Sequence, residues 1–440
     1  MLILKNATVV QFDGSPVEEG IDVVIENGEI TFKGKPEEQK NNRKTDEAEI
    51  IDCSNKVVTP GLVCSHNHFY SVLARGITVP IDESNDFVSV LKNLWWRLDR
   101  ALDDETVYYS GMVGALEAIK AGTTAVIDHH ASPSSISGSL RTLGRAFKEV
   151  GLRGILAYEV TDRNGMKGME AGIRENIDFV GSLLENSSGL LEAAIGAHAP
   201  FTLSEKSMEM LGEAVKSTGR GIHIHLCEDT YDGSVSHHLY GEDVTARLER
   251  FDLLNERAIL VHGVYLTDGD VERINKHDSF LVHNARSNMN NSVGYNEKLP
   301  LYRNVALGTD GIGSDMIEEM KIACFKHRDA GGKLWPPDFL SFLDNGNRIL
   351  ERYFGQRFGK IEKGSVADIT VFDYVPPTPL VSENIAGHMV FGGLSGLVDT
   401  VIVGGKVVLK NGEYTIKTDN IFREARKAAE KMWKRMEKIK

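Results

Sequence analysis

Pro60-Gly61-Leu62-Val63-Cys64-Ser65-His66-Asn67-His68 sets two histidines two residues apart at the end of an apolar run, just past a Pro-Gly punctuation. On a strand, residues i and i+2 project from the same face, so both imidazoles converge on one metal ion without a bend in the backbone. The alternative for this pair alone is a strand end with two polar residues leaving the core. The rest of the chain separates the two.

Working outward, eight apolar stretches between residues 58 and 357 read as strands: Leu62 to His66, Thr124 to Asp128, Gly154 to Val160, Glu192 to His198, Gly221 to Leu226, Ala258 to His262, Phe280 to His283 and Val305 to Asp310. Between them, Asp104 to Ala121, Glu205 to Ser217 and Asp243 to Arg250 carry the i, i+3, i+4 apolar spacing of helices packed on a sheet. Parallel strands alternating with helices predict an α/β protein built on a (β/α)8 TIM-like barrel over residues 58–357. Most of the strand candidates end in or beside a histidine and the last ends in Asp310, which is how the catalytic face of such a barrel is expected to look.

Short strand patterns also fill both chain ends. They run from Leu2 to Gln11, Asp22 to Ile25, Glu29 to Phe32 and Ile50 to Asp52, with a hairpin signal at Asn27-Gly28, and return at Ala367 to Asp373 and Thr400 to Leu409. Residues 1–57 and 358–440 are therefore expected to pair into one small β-sandwich domain. The Lys/Arg-rich tail from Arg423 to Lys440 alternates with Glu and apolar residues and reads as a surface helix.

The 440 residues, 41% hydrophobic and 26% charged, have the balance of a globular protein with a large core. A net charge of -13 argues against a nucleic-acid partner, which needs clustered Lys and Arg. The N-terminus lacks a signal-peptide pattern, and no window approaches the ~18 apolar residues of a membrane span. The expectation is a cytoplasmic enzyme with a small-molecule substrate and no membrane partner, its oligomeric state open to a homo-oligomer. Cys53, Cys64, Cys227 and Cys324 are scattered without a CxxC pair, which argues against disulfides and a thiolate zinc site.

In Gly221-Ile222-His223-Ile224-His225-Leu226-Cys227-Glu228, His225 lies furthest toward the barrel mouth and is the third candidate ligand. His223 sits a step deeper, behind the metal or in the core. Glu228 is placed to return over the metal as a carboxylate that moves protons without being a ligand. Asp310, in Gly308-Thr309-Asp310-Gly311, offers an oxygen ligand and a proton acceptor, with Gly311 permitting a sharp turn; a helix N-cap is the alternative. His66, His68, His225 and Asp310 form a set suited to zinc, with iron or manganese as alternatives.

His262, at the end of the sixth candidate strand, is positioned to hydrogen-bond the water or the developing oxyanion. His283 and Asn284 open a polar run that shapes the pocket. Trp95 and Trp96 fall where a lid sits and offer either a stacking surface for a heteroaromatic ring or ordinary helix packing. His129-His130 and His237-His238 read as loop pairs of which at most one member each enters the pocket, so His129, His130 and His237 are substrate candidates.

The Pro-Gly-Leu-Val-x-x-His-x-His opening, His225-Leu226-x-Glu228, His262, His283-Asn284-x-x-Ser287-Asn288 and Gly308-Thr309-Asp310-Gly311 together resemble the amidohydrolase superfamily. More narrowly they are similar to its cytosine deaminase, adenosine-type deaminase and triazine chlorohydrolase branch. The stretches Leu94 to Asp99 and Asp128 to Pro133 are most similar to the aminohydrolases called SsnA. The resemblance implies hydrolytic deamination of an amino-substituted, purine-like N-heterocycle with release of ammonia. Its enzymatic alternatives are loss of halide or opening of a cyclic amide, and its non-enzymatic one is a silent assembly subunit.

Binuclear members of the superfamily bridge two metals through a Lys on strand four, and Glu192 to His198 contains none, so the resemblance implies one divalent ion per chain. It also implies that His198 faces the substrate, against the alternative of a capped strand end. Asn288-Met289-Asn290-Asn291 departs from the Lys or Leu-Lys segment of many relatives, which bears on substrate recognition.

Overall fold

The computed structural model describes residues 1–38, 48–185 and 189–439; Lys440, at the end of the tail read as a helix, lies outside them. Two parallel sheets make the central body. One orders strands Leu62–Asn67, Thr123–His130, Arg153–Tyr158 and Leu191–Ala193; the other orders Ile195–Ala197, Ile222–Leu226, Ile259–His262, Phe280–His283 and Val305–Leu307. Single parallel bridges, Val160 to Ala197 and Asn67 to Asp310, join the sheets at both seams. The result is the expected eight-stranded α/β barrel, numbered here by barrel strand from one to eight.

The fourth strand differs from the continuous Glu192 to His198 read from the sequence. Leu191–Ala193 pairs with strand three, Ile195–Ala197 pairs with strand five, and Ala194 between them donates its N–H to the Leu156 carbonyl. One strand thus serves both neighbours by changing partner at a single residue. Ala125, Ile127, Ile155, Ala157, Ile259, Val261, Phe280 and Val282, alternate residues of successive strands, belong to one buried apolar cluster, as a period-2 pattern on a closed sheet requires.

The helices form where their spacing and caps direct. Asp104–Lys120 starts at a reciprocal capping box between Asp103 and Thr106, Glu205–Thr218 is capped by the Ser204 hydroxyl, and Val244–Arg250 follows Asp243. No helix among the described residues is long and apolar enough to cross a membrane.

The two chain ends meet in one hydrogen-bonded sheet of nine strands. Val57–Pro60 lies between Leu2–Val9 and Ile369–Phe372, so the sandwich expected from the termini takes the form of a continuous sheet with its own apolar core. Arg153, opening barrel strand three, fixes this sheet to the barrel: its Nε and one terminal nitrogen donate to Asp368 Oδ2 and Oδ1 at 2.6 and 2.9 Å. The C-terminal helix Asp419–Met436 lies against the barrel. It buries Ala425, Ala428, Met432 and Met436, packs on Asp104–Lys120, and donates from Trp433 Nε1 to the Leu73 carbonyl at 2.9 Å.

Candidate metal centre and active site

The histidines and acids of the barrel converge at the C-terminal ends of its strands. His66 Nε2 and His225 Nε2 lie 3.3 Å apart, and His68 Nε2 and His225 Nε2 lie 3.1 Å apart. Asp310 Oδ1 stands 3.1 Å from His68 Nε2 and 3.6 Å from His66 Nε2. Ligands about 2.0–2.1 Å from a tetrahedral zinc stand about 3.3 Å from one another, and these four separations lie close to that value.

Their protonation fits the same conclusion. Burial holds His225 well below the usual histidine range and pushes His66 down to about 3. Against its own burial, His68 is pushed up to about 9 by Asp310, whose carboxylate is itself held well below the usual range by His66 and His68 despite being buried. Two imidazoles held neutral, the His68 imidazole and one carboxylate thus meet at a single point, a donor set that a divalent cation can bind by displacing the His68 proton. The imidazoles are aimed from behind: His66 Nδ1 meets His223 Nε2 at 2.9 Å, and His68 Nδ1 meets the His129 carbonyl at 2.6 Å. His223 therefore lies behind His66, away from the mouth.

Three strand ends carry left-handed backbone at residues other than glycine: Cys227 at φ 45°, His262 at φ 72° and Asp310 at φ 54°. Such backbone costs roughly 1–2 kcal/mol per residue, and here it aims Glu228, His262 and Asp310 at one point. The turn expected at Gly311 thus falls on Asp310 itself. Gly308 has a different reason: a Cβ there would stand 2.5 Å from Asn284 Oδ1 and 2.9 Å from His66 Cβ.

Beside the metal cluster, Glu228 Oε2 is 3.4 Å from His262 Nε2, and Asp310 Oδ2 is 4.0 Å from the same nitrogen. Burial pushes the Glu228 carboxyl up to about 6, with His262 acting in the opposite direction. The short helix Ala285–Asn290 supports all three groups. Ser287 Oγ donates to Asp310 Oδ2 at 2.5 Å, Asn288 Oδ1 pairs with His262 Nδ1 at 2.8 Å, and Asn291, just past the helix, donates to Glu228 Oε1 at 3.3 Å. Sequence reasoning placed Ser287 and Asn288 in a pocket-shaping polar run and Asn288 to Asn291 in substrate recognition, without these contacts; Ser287 and Asn291 are four apart, the spacing that puts two side chains on one helix face.

A cavity of about 290 Å³ opens over this group, bordered by His68, Trp95, Trp96, His198, His225, Glu228, Ser287, Asn291 and Asp310. Both tryptophans of the expected lid reach it; Trp96 carries the Arg163 guanidinium 4.4 Å from its ring centroid and stands edge-on to His198. His198 borders the cavity with Nδ1 3.1 Å from the Thr202 hydroxyl. His283 and Asn284 are fully buried and do not border it.

His129 and His130 end a strand instead of lying on a loop. His129 stacks on His223 at 4.4 Å and His130 pairs with Ser132 at 2.9 Å, and neither borders the cavity. His237 and His238 lie on the helix Thr230–Tyr240; the His237 side chain is 57% exposed and 3.3 Å from Asp243, so it stands outside the pocket. Its position follows from helical rather than extended backbone after Asp229, whose carboxylate caps the helix. Cys64 is fully buried against Thr309 at 3.1 Å, and Cys227 is buried beneath the Glu228 turn; both fill core space.

One polar group on the cavity wall escaped the sequence reading. Glu159, directly after strand three, is 3.4 Å from Arg163, and Arg163 is 3.6 Å from Asp99. Burial pushes Glu159 up to about 8, with Asp99 acting in the same direction, and burial pushes Asp99 up to about 6. An acid at the C-terminal end of a barrel strand was the available signal.

A barrel whose mouth gathers histidines and acids in this way has the donor set of a possible metal site. The Amidohydrolase family profile matches residues 57–408, and the chain belongs to that family. It is 31% identical over 419 residues to a 5-methylthioadenosine/S-adenosylhomocysteine deaminase of Thermococcus sibiricus, covering 93% of this chain and 94% of that one. It is 28% identical over 447 residues to a 5'-deoxyadenosine deaminase of Methanococcus aeolicus, with 98% and 99% covered. Among solved structures, an adenosine deaminase from Xanthomonas campestris with bound zinc superposes with a TM-score of 0.85 at 22% identity, covering 98% of each chain.

Proposed function

We propose that this chain is a metal-dependent aminohydrolase that replaces the exocyclic amine of a planar, purine-like N-heterocycle with oxygen and releases ammonia. The observation that carries the reading is the convergence of His66, His68, His225 and Asp310 beside the Glu228–His262 pair at one cavity. Those four residues hold one divalent ion per chain, zinc before iron or manganese. When bound, the ion supplies the Lewis acidity that lets water ionise near neutral pH.

The protein's own groups move the protons. Asp310 accepts the proton of the attacking water at a carboxylate that the Ser287 hydroxyl keeps oriented. Glu228, its carboxyl pushed up to about 6 by burial and oriented by Asn291, delivers a proton to the ring nitrogen beside the amine-bearing carbon, which makes that carbon electrophilic. His262 Nε2 faces the charge that develops on the attacking oxygen. The proton held by Asp310 then passes to the amine, the C–N bond breaks and ammonia leaves, while the remaining proton of the attacking oxygen returns to Glu228 as the C=O bond forms.

The deaminase names of the sequence relatives support a purine-like ring, and the cavity volume suits a free base or a nucleoside-sized molecule. With a net charge of -13 the chain offers no general attraction for a nucleic-acid strand, and a cytoplasmic setting accords with that substrate. The test is ammonia release across amino-purines, cytosines and aminotriazines, with matched cyclic amides and a chlorotriazine as controls. Turnover confined to the cyclic amides, or halide release alone, rejects deamination.

A further inference from the structure

Strand two delivers one more imidazole to the metal cluster than the proposed ligand set uses. Ala125 and Ile127 belong to the apolar cluster that alternate strand residues share, and the same period of two puts His129 next on that face, near the strand's C-terminal end. One of its ring nitrogens lies within 4.8 Å of the donor nitrogens of His66, His68 and His225. Its ring centroid stands 5.8, 5.6 and 4.9 Å from theirs, close to the 4.7 to 5.1 Å that those three keep among themselves.

Both ring nitrogens of His129 are shut off from solvent, and neither has a hydrogen-bond partner among the described residues. A structural histidine at this depth normally satisfies at least one, because an unpaired buried nitrogen has lost its hydration with nothing in exchange. Its neighbours do so: His130 pairs with Ser132, His198 with Thr202 and His262 with Asn288. His283 shares the unpaired state but stands outside the donor group, so nothing there points to an ion. His129 combines an unpaired ring with a place in the cluster, and burial and the surrounding histidines hold it neutral, with a lone pair to give.

We propose that His129 completes an inner cation position, in which four imidazoles hold the ion and His129 takes the place of Asp310. Two nitrogens on opposite sides of one ion stand about 4.2 Å apart at about 2.1 Å each, so movements of a few tenths of an ångström at each ring close the set. The inner position shares His66, His68 and His225 with the outer one, and the two therefore hold a single ion between them. The outer position faces the cavity through Asp310, whereas the inner one faces away from it, since His129 does not border the cavity. Four nitrogens without a carboxylate favour Zn²⁺ and Cu²⁺ over Mn²⁺ and Fe²⁺. Glu159 Oε2, itself unpaired, is 3.8 Å from His129 Nδ1, and a ring that gives Nε2 to a cation becomes a stronger Nδ1–H donor toward such a carboxylate. The inference rests on the metal centre of the proposed function and gives its ion a second resting place.

The full chain labelled with ¹⁵N at histidine and loaded with ¹¹³Cd²⁺, a closed-shell substitute for zinc, reports each bound imidazole as a nitrogen–cadmium coupling. Four coupled histidines are expected, one of them lost in His129→Phe, which keeps an aromatic ring against His223. Three couplings in the unmutated chain, or four that survive the substitution, overturn the inner position and leave the outer one standing. Zinc titration reads the same point independently: His129→Phe is expected to bind zinc about 10-fold more weakly or worse, at least the loss that the outer partners of a ligand bring, and equal affinity overturns the proposal. Should the variant fail to fold, the coupling count of the unmutated chain decides alone. A chain that binds neither ion overturns the metal centre and the inner position together, and ammonia release reads the deaminase function separately.

Discussion

His68 donates its Nδ1–H to the backbone carbonyl of His129 at 2.6 Å. A carbonyl only accepts, so this hydrogen bond places a hydrogen on Nδ1 and leaves Nε2, facing His225 and Asp310, as the nitrogen that gives up its proton when a cation binds. The His129 backbone thus aims a ligand while its side chain stacks on His223 behind the cluster. A ligand fixed in this way loses little freedom when a metal binds, and this bears on the first prediction.

Metal analysis of the purified protein is expected to give about one equivalent of zinc or a comparable divalent ion per chain, on the open-site logic of catalytic zinc. His66→Ala combined with His68→Ala removes two donors and should abolish stoichiometric binding. Two tightly held equivalents, or full retention in the double variant, sink the assignment.

Glu228→Gln keeps the shape and the bond from Asn291 but removes the transferable proton. Turnover is expected to drop on the order of 10²-fold or more while metal occupancy stays at its original level. A fully active variant, or one that loses its metal, shows that Glu228 has another role.

Ser287→Ala frees Asp310 Oδ2 from its 2.5 Å hydroxyl donor without touching the proposed ligand atom Oδ1. The expected result is a fall in kcat of about 10-fold, the scale of one hydrogen bond to a charged group, at unchanged KM and metal content. Equal kcat in the two proteins removes Ser287 from the machinery.

The sequence made the barrel and its proposed ligand residues legible because each sits at the end of an apolar strand, where periodicity and polarity change at one residue. His66, His68 and His225 gather at one point with His129 beside them, and Asp310 stands 3.1 Å from His68 and 3.6 Å from His66. The pattern marked Ser287, Asn288 and Asn291 only as members of polar runs, because their contacts come from a six-residue helix too short for a periodic signal. It was silent on Glu159, which borders the cavity beside Asp99 and Arg163. His237 shows the opposite failure: a histidine read as a pocket residue belongs to a helix whose cap, Asp229, decides its direction.

Asp128 is fully buried, accepts from the Phe69 N–H at 2.7 Å, and is pushed up to about 7 by burial. Its folded pKa exceeds the unfolded value of about 3.9, so the folded state binds the extra proton and this group's contribution to stability is full below pH 4. The contribution is lost as pH rises through about 7. Thermal midpoints of the native protein and Asp128→Asn, measured from pH 4 to 8, should therefore diverge, the native protein losing ground to the variant as pH rises. Parallel curves mean that Asp128 keeps the same charge throughout.

The last prediction concerns the joint between the two domains. Arg153 and Asp368 are 2% and 6% exposed and meet through two parallel hydrogen bonds, one residue from barrel strand three and the other from the start of the returning β segment. Asp368→Ala strands a buried guanidinium and also removes the acceptor of the Gly404 N–H, which Asp368 Oδ1 binds at 2.6 Å. Breaking one side of such a pair costs about 3–5 kcal/mol, whereas replacing both partners with apolar residues removes the uncompensated charge. Denaturation midpoints should therefore fall steeply in Asp368→Ala and recover in part in Arg153→Met combined with Asp368→Leu. The recovery stays partial because the Gly404 N–H lacks its acceptor in both. Metal content and kcat of the folded fraction are expected to hold, since neither residue borders the cavity. A double variant no more stable than the single one places the cost in the Gly404 contact rather than in the stranded charge.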